Sequence, residues 1–513
     1  MGITTQIIGL LACLSFLVIT HELGHYTFAR IFHTRVDKFY MFFNPYFSIF
    51  KCKKFNGKWH FKFFSRNQSD MEELLDAEGN PVLDEKGKKK MVRIDTDKLD
   101  DDDWRKYPEN TEWGIGWLPL GGYCSINGMV DETTKAGDLA AEPQPWEFRS
   151  KPAWQRLLII LGGVLVNFIT ALVLYVVVLF TWGEDYIPVE NAKYGMHFSE
   201  TAQKAGFQNG DRIVTIDGVK PERTGDITGA VLIDGAKRVV VQRQNNVEAL
   251  DSNAVSIDQQ LPTTREETVY LDSRFAQTLI GAEKSEQYFC QFEMPFVLDS
   301  VPPESPAAKA GLKKGDSLVA VNGKPTFSFY DYQKTFAKNK NAMVSIAYVR
   351  DGKTDSAVVR LNDEGKMMVS VKTPGEILGY EHVDYGFWQS IPAGISRGFS
   401  TLGDYVKQFK LVFTKEGATQ IGGFGTIGSI FPKVWDWQVF WTMTAFLAVI
   451  LAFMNFLPIP ALDGGYILFI LVEMITRRKP SDKFIGYANT VGFILLIALL
   501  IYANGLDILR FFK

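Results

Sequence analysis

The chain has little of what would assign it at once to a soluble class. Its 513 residues include four cysteines, Cys13, Cys52, Cys124 and Cys290, none in a C-x-x-C pair, so neither a disulfide framework nor a thiolate metal site is indicated. It has no charge excess. The formal net charge is −3, and Lys and Arg are dispersed instead of forming one basic stripe, which argues against nucleic acid as a partner. No Lys or Arg precedes the first apolar run, so the positive start of an export signal is missing, although Leu10-Leu11-Ala12-Cys13 resembles a lipoprotein cleavage site. That run is therefore expected to be retained.

What the sequence does have is four long apolar runs, roughly 3–29, 157–182, 438–457 and 485–504. Each approaches the ~20 residues a helix needs to cross hydrocarbon. The stretches between them have the composition of ordinary soluble protein. The expected class is thus a membrane protein, an α-helical bundle of four transmembrane helices carrying soluble insertions. Basic residues follow the first run (Arg30, Arg35, Lys38, Lys51, Lys53, Lys54), precede the second (Lys151, Arg156) and separate the last two (Arg477, Arg478, Lys479, Lys483). Positive flanks mark the cytoplasmic side, which puts both termini and the long segment 183–437 on the opposite side.

Alternation of aromatic and basic residues in Lys58-Trp59-His60-Phe61-Lys62-Phe63 predicts strands over 36–66. Residues 67–110 are strongly charged and turn-rich, a polar insertion expected to form a hairpin, with Asp100 to Asp103 as a solvated acidic run. The Gly- and Pro-rich segment 114–123 is too broken for a helix. Residues 388–413 place Ile391, Ile395, Phe399, Leu402, Val406, Phe409 and Phe413 at helical spacing among charges. This amphipathic helix either lies at the membrane surface, the preferred reading because an apolar run follows, or packs on a soluble domain.

The long segment repeats itself. Ala205-Gly206-Phe207-Gln208-Asn209-Gly210-Asp211-Arg212-Ile213 is matched by Ala310-Gly311-Leu312-Lys313-Lys314-Gly315-Asp316-Ser317-Leu318, and the register holds to Ile216-Asp217-Gly218 and Val321-Asn322-Gly323. Each copy reads as a short helix ending at Gly, a tight turn, and a strand ending in an Asp-Gly or Asn-Gly turn. The glycines and Asp211 and Asp316 read individually as turn formers. The two α+β copies resemble PDZ domains, which bind extended peptides at a sheet edge. Neither shows a Gly-Leu-Gly-Phe carboxylate loop.

The expected organisation is then a first helix within 1–35, a cytoplasmic β-rich region over 36–150 and a second helix over 151–185. PDZ-like copies follow over 186–290 and 291–375, then an amphipathic region over 376–437 and two final helices over 438–513.

The strongest chemical signal is His21-Glu22-Leu23-Gly24-His25 inside the first run. On a helix, residues i and i+4 share a face, so both imidazoles can hold one Zn2+, with Glu22 beside them as general base toward the attacking water. Ionisable groups inside an apolar span are costly and usually functional. A zinc hydrolase needs a third protein ligand, and the candidate is Asp463, in Asn455-Phe456-Leu457-Pro458-Ile459-Pro460-Ala461-Leu462-Asp463-Gly464-Gly465. There Pro458 and Pro460 stop a helix and the two glycines permit a sharp turn. The bland alternative is a loop aspartate capping the next helix.

With H-E-x-x-H in the first run, N-x-x-P-x-P-x-L-D-G in the third, two PDZ-like copies between the second and third, and L-P-L-G-G-Y at 118–123, the chain resembles the site-2 proteases, of the sigma-E-regulating type. The resemblance implies zinc on His21, His25 and Asp463, activation of water by Glu22, and Asn455 bonding substrate backbone or stabilising an oxyanion. It also implies a membrane-dipping β-loop over 114–123 that receives an unwound substrate strand, with Gly121, Gly122 and Asn167 at the substrate. The implied setting is a bacterial inner membrane with the PDZ-like copies in the periplasm. The implied partners are the lipid bilayer and membrane proteins with a single transmembrane segment, an anti-sigma factor or remnant signal peptide for example, cut by a monomer. Two features depart from the pattern: Val164 stands where the family often has Pro, and the insertion at 67–110 is long. Two rival readings are a membrane scaffold or chaperone with vestigial histidines, and a zinc peptidase with a Glu ligand at the membrane surface.

Overall fold

The computed structural model describes residues 2–68, 71–73, 81–82, 91–94, 99–119, 121–129, 143–244 and 264–512. Two compact units divide the chain: residues 1–182, 385–405 and 421–513 form one, and 183–384 with 406–420 form the other.

The first unit is built on helices. Among the described residues, four are long and apolar enough to cross a membrane: α1 (Gly2–Ile31), α2 (Ala153–Trp182), the helix Trp437–Phe456, and Phe484–Phe511 within the helix Asp482–Phe511. The helix Phe387–Phe409 is named α3, Trp437–Phe456 α4, the shorter Asp463–Thr476 α5, and Asp482–Phe511 α6. Their outward side chains are apolar, such as Ile7, Ile169, Val173, Ile494 and Leu495, as lipid contact requires. With Val164 in place of a helix-kinking Pro, α2 runs unbroken for 30 residues.

α1 and α2 approach closely because three glycines meet. A Cβ on Gly24 would lie 2.2 Å from the Gly162 carbonyl oxygen, and one on Gly162 would lie 2.7 Å from that of Gly24. Small residues let backbones touch in the absence of a hydrophobic driving force between helices. α3 uses the same device. Ser390, Gly394 and Gly398 are its buried residues, and Cβ atoms on the two glycines would strike Val176 and Leu172 of α2. The helix therefore packs on α2 through its small residues, whereas Ile395, Phe399 and Val406 of the expected apolar stripe stay exposed.

Between α1 and α2 lies a five-stranded sheet of β1 (Val36–Met41), β2 (Phe47–Phe55), β3 (Lys58–Arg66), β4 (Glu112–Ile115) and β5 (Tyr123–Ile126), in the order β3-β2-β4-β1-β5. β1 and β4 are parallel, and the other pairs are antiparallel. Gly114 and Gly116 fit because Cβ atoms would strike the Tyr40 ring and the Phe43 carbonyl. Trp59, Phe61 and Phe63 alternate along β3 and remain exposed. In the charged insertion, Met71–Glu73 pairs antiparallel with Met91–Arg93, and the connection between them lies outside the described residues except for 81–82. The acidic run is ordered by pairing: Asp103 caps the turn at Trp104 and binds Arg105 at 2.7 Å, and Asp101 binds Lys106 at 2.6 Å.

The second unit contains the repeat as two α+β copies, each with its own apolar core. Ser199 and Ser305 cap the matched short helices, Gly210 and Gly315 both adopt positive φ (93° and 92°), and so do Asp217 and Asn322 (48° and 49°). Asp211 and Asp316 do more than form turns. Asp211 accepts from the Gln208 backbone and pairs with Arg243 at 2.7 Å, and Asp316 accepts from the Lys313 backbone and pairs with Arg350 at 2.6 Å. The guanidinium in each copy also reaches the carbonyl of Gly206 or Gly311. Strand Cys290–Phe292 pairs with Met196–Phe198, which closes the first copy through Phe292, just past the expected boundary at 290.

Candidate metal centre

His21 and His25 lie one turn apart on α1, and their Nε2 atoms are 3.2 Å from each other. Asp463 enters from α5, its Oδ2 lying 3.2 Å from His21 Nε2 and 3.3 Å from His25 Nε2. The chain reaches this position through a turn that only glycine allows: Cβ atoms on Gly464 and Gly465 would lie 1.9 Å from the Leu457 carbonyl oxygen and 2.7 Å from Pro460 Cα. α5 is fastened to the start of α2 by a two-pronged pair between Arg156 and Glu473, at 2.5 and 3.1 Å.

The three atoms form a nearly equilateral triangle of acceptors. In a tetrahedron with metal–ligand bonds of about 2.0 Å, neighbouring ligand atoms are about 3.3 Å apart, so the edges observed fit a zinc site. Asp463 Oδ2 is buried and, despite its proximity to two imidazoles, makes no hydrogen bond. Three lone pairs aimed at one point repel one another unless a cation holds them, and His2Asp is a donor set that suits Zn2+. Among the described residues no other group of three such side chains converges in this way.

Neighbouring groups set the direction of those lone pairs. His25 Nδ1 lies 3.0 Å from the Ile159 carbonyl, which can only accept, so Nδ1 carries the proton and Nε2 is left with its lone pair. The Asn167 amide lies 3.2 Å from His21 Nδ1 and 3.0 Å from Thr20 Oγ1. Turning that amide by 180° exchanges N and O with little movement. Its carbonyl then accepts from His21 Nδ1–H and its NH2 donates to Thr20, whose hydroxyl donates to Leu17 O at 3.0 Å. Asn167 is 0% exposed, with its amide against Thr20 and His21. Gly163 completes the cradle, since a Cβ there would lie 2.4 Å from His25 Nε2 and 2.7 Å from His21 Cε1.

Glu22 lies beside the triangle, half-buried, with the Cys124 main chain in hydrogen-bonding reach of its carboxylate. Cys124 is in β5, which among the described residues pairs with β1 alone and so stands at the edge of the sheet. Gly122, just before β5, packs so closely that a Cβ would lie 2.6 Å from both the Tyr40 carbonyl and Val18. Gly121, at φ +150°, lies over Phe43, and the Asn455 amide is 3.5 Å from His21 Nε2. Thr20, Gly163 and the Arg156–Glu473 pair escaped the sequence reading as site residues. The available signal was a hydroxyl, a glycine or a charge inside an apolar run.

A largely enclosed His2Asp triangle with a carboxylate beside it, between apolar helices, has the composition expected of a metallopeptidase centre. The chain belongs to peptidase family M50, whose model matches residues 9–65 and 104–499. Among its relatives, a candidate zinc metalloprotease of Xylella fastidiosa is 27% identical over 76% of this chain and 86% of its own. The regulator of sigma E protease of Haemophilus influenzae is 26% identical over 79% and 89%. A candidate zinc metalloprotease of Rickettsia conorii is 24% identical over 99% of both chains.

Proposed function

We infer that the protein is an intramembrane zinc metalloendopeptidase that cuts membrane proteins within or beside the bilayer. The observation that carries this is the triangle of His21, His25 and Asp463 with Glu22 at its side, enclosed by helices apolar enough to span a membrane. His21 and His25 would hold zinc through Nε2 and Asp463 through Oδ2. When bound, zinc polarises a scissile carbonyl and makes water more acidic.

The remaining roles fall to this chain's own groups. Glu22 takes a proton from the attacking water and delivers it to the leaving amine. A helical substrate span hides its carbonyls, so it must unwind, and in hydrocarbon the freed backbone groups need partners. The side of β5 away from β1 offers them: a strand added there passes Glu22, because Cys124 lies in β5. Gly121 and Gly122 shape the entry to that strand, and Asn455 carries an amide N–H available to the carbonyl being cut. Asn167 acts indirectly, by orienting His21.

The setting we propose is a bacterial inner membrane, with the basic flanks cytoplasmic and the two PDZ-like copies outside, and with single-span membrane proteins as substrates. The copies would screen what approaches and supply no ligand to the metal. The sigma-E-regulating name of one relative points to an anti-sigma factor as a substrate type. The test is Glu22→Gln in the full chain. It should retain zinc, since Glu22 is not a ligand, and lose cleavage of a membrane substrate by about 100-fold or more. Cleavage at the unaltered rate would end this reading.

A further inference from the structure

α6 is mostly exposed apolar surface, with Val491, Phe493, Ile494 and Leu495 pointing outward, so a polar side chain facing inward from it calls for a reason. Asn489 is such a residue. Its Oδ1 accepts from the Ala461 backbone N–H at 3.3 Å, and its Nδ2 donates to Tyr466 Oη at 2.9 Å. Ala461 is two residues before Asp463 and Tyr466 three after, so one amide holds both ends of the turn that delivers the carboxylate.

That turn needs holding. Ala461 has φ +74°, a left-handed conformation disfavoured for a residue other than glycine. One helical turn along α6, Gly492 is buried, and a Cβ there would lie 1.9 Å from the Pro460 carbonyl oxygen. Gly492 lets α6 approach the turn, and Asn489 then clamps it. Neither residue touches the triangle.

We propose that Asn489 is a positioning residue for the Asp463 ligand, with Gly492 as the contact that admits it, so that the fourth apolar helix sets the geometry of the metal centre. This rests on the zinc-site reading above. Small displacements of a ligand matter because the protein must match the metal's preferred geometry, and loss of an outer partner typically costs about 10- to 100-fold in metal affinity.

The test uses the full chain in detergent or nanodiscs, loaded with Co2+ as the probe, whose visible absorption reports ligand number and symmetry. Affinity is measured by competition with a chelator. Asn489→Leu should weaken Co2+ binding about 10- to 100-fold and change the visible band. Tyr466→Phe, which removes one hydroxyl and keeps the ring, should produce a smaller change in the same direction. Asn504→Leu is the control on the same helix: Asn504 accepts from the Phe424 backbone, and its loss should leave the band unchanged. If Asn489→Leu unfolds the protein, Tyr466→Phe and Gly492→Ala decide. A wild-type band and affinity in the folded variants overturn the positioning role. Failure of the unaltered protein to bind Co2+, or undiminished binding by Asp463→Ala, overturns the zinc-site reading itself.

Discussion

The protein buries aspartates in two places and treats them differently. In the repeat, Asp211 is 1% exposed and Asp316 fully buried, and each faces an arginine fork and a backbone N–H. A buried carboxylate satisfied in this way is finished: it fixes a turn and offers nothing to a ligand. In the helical unit, Asp463 Oδ2 meets two imidazole nitrogens whose own protons are committed elsewhere, and it has no donor. The same side chain is structural where its partners complete it and chemical where they leave it incomplete.

Glycines give the sharpest contrast. Gly163→Ala should place a methyl group against both ligand histidines and weaken zinc binding by about 100-fold or more, the upper end of outer-shell effects, with little loss of helix. At Gly315 a Cβ would meet nothing, but φ is +92°, so Gly315→Ala should cost about 1–2 kcal/mol of stability in the second copy and leave zinc untouched. Metal titration and thermal melting on the two variants separate the effects. Equal zinc affinity in both would break the contrast.

Asp211→Ala leaves the buried Arg243 with only Glu267 and the Gly206 carbonyl as partners and should destabilise the first copy by about 1–3 kcal/mol. Limited proteolysis should register this as faster cutting within 183–384, with zinc content unchanged. A smaller effect is expected from Asn167→Ala. His21 keeps its place on α1 but loses its orienting amide, which should lower zinc affinity about 10-fold without altering the protease sensitivity of the other unit.

How much of this was legible in the sequence follows from the range of each interaction. His21 and His25 share a helix face by spacing alone, and the prolines and glycines around Asp463 announce a turn. The matched Gly-Asp stretches announce a duplication, and the structure shows two copies with the same caps and turns. The contacts of Asn167 with Thr20 and His21 span almost 150 residues of chain and leave no local pattern, so only a resemblance points to this residue. The seat of α3 was hidden for another reason. An apolar stripe counts large side chains, whereas the packed line is Ser390, Gly394 and Gly398, which a hydropathy reading scores as nothing. Asn489 was equally silent, a lone amide in an apolar run.

The most direct test of the account is the zinc content of the purified full chain, measured by mass spectrometry for the unaltered protein and for His21→Ala, His25→Ala and Asp463→Ala. About one zinc per chain is expected in the first and a sharp loss in each of the others, because each removes one of three protein ligands. Undiminished zinc in the Asp463→Ala protein would contradict it.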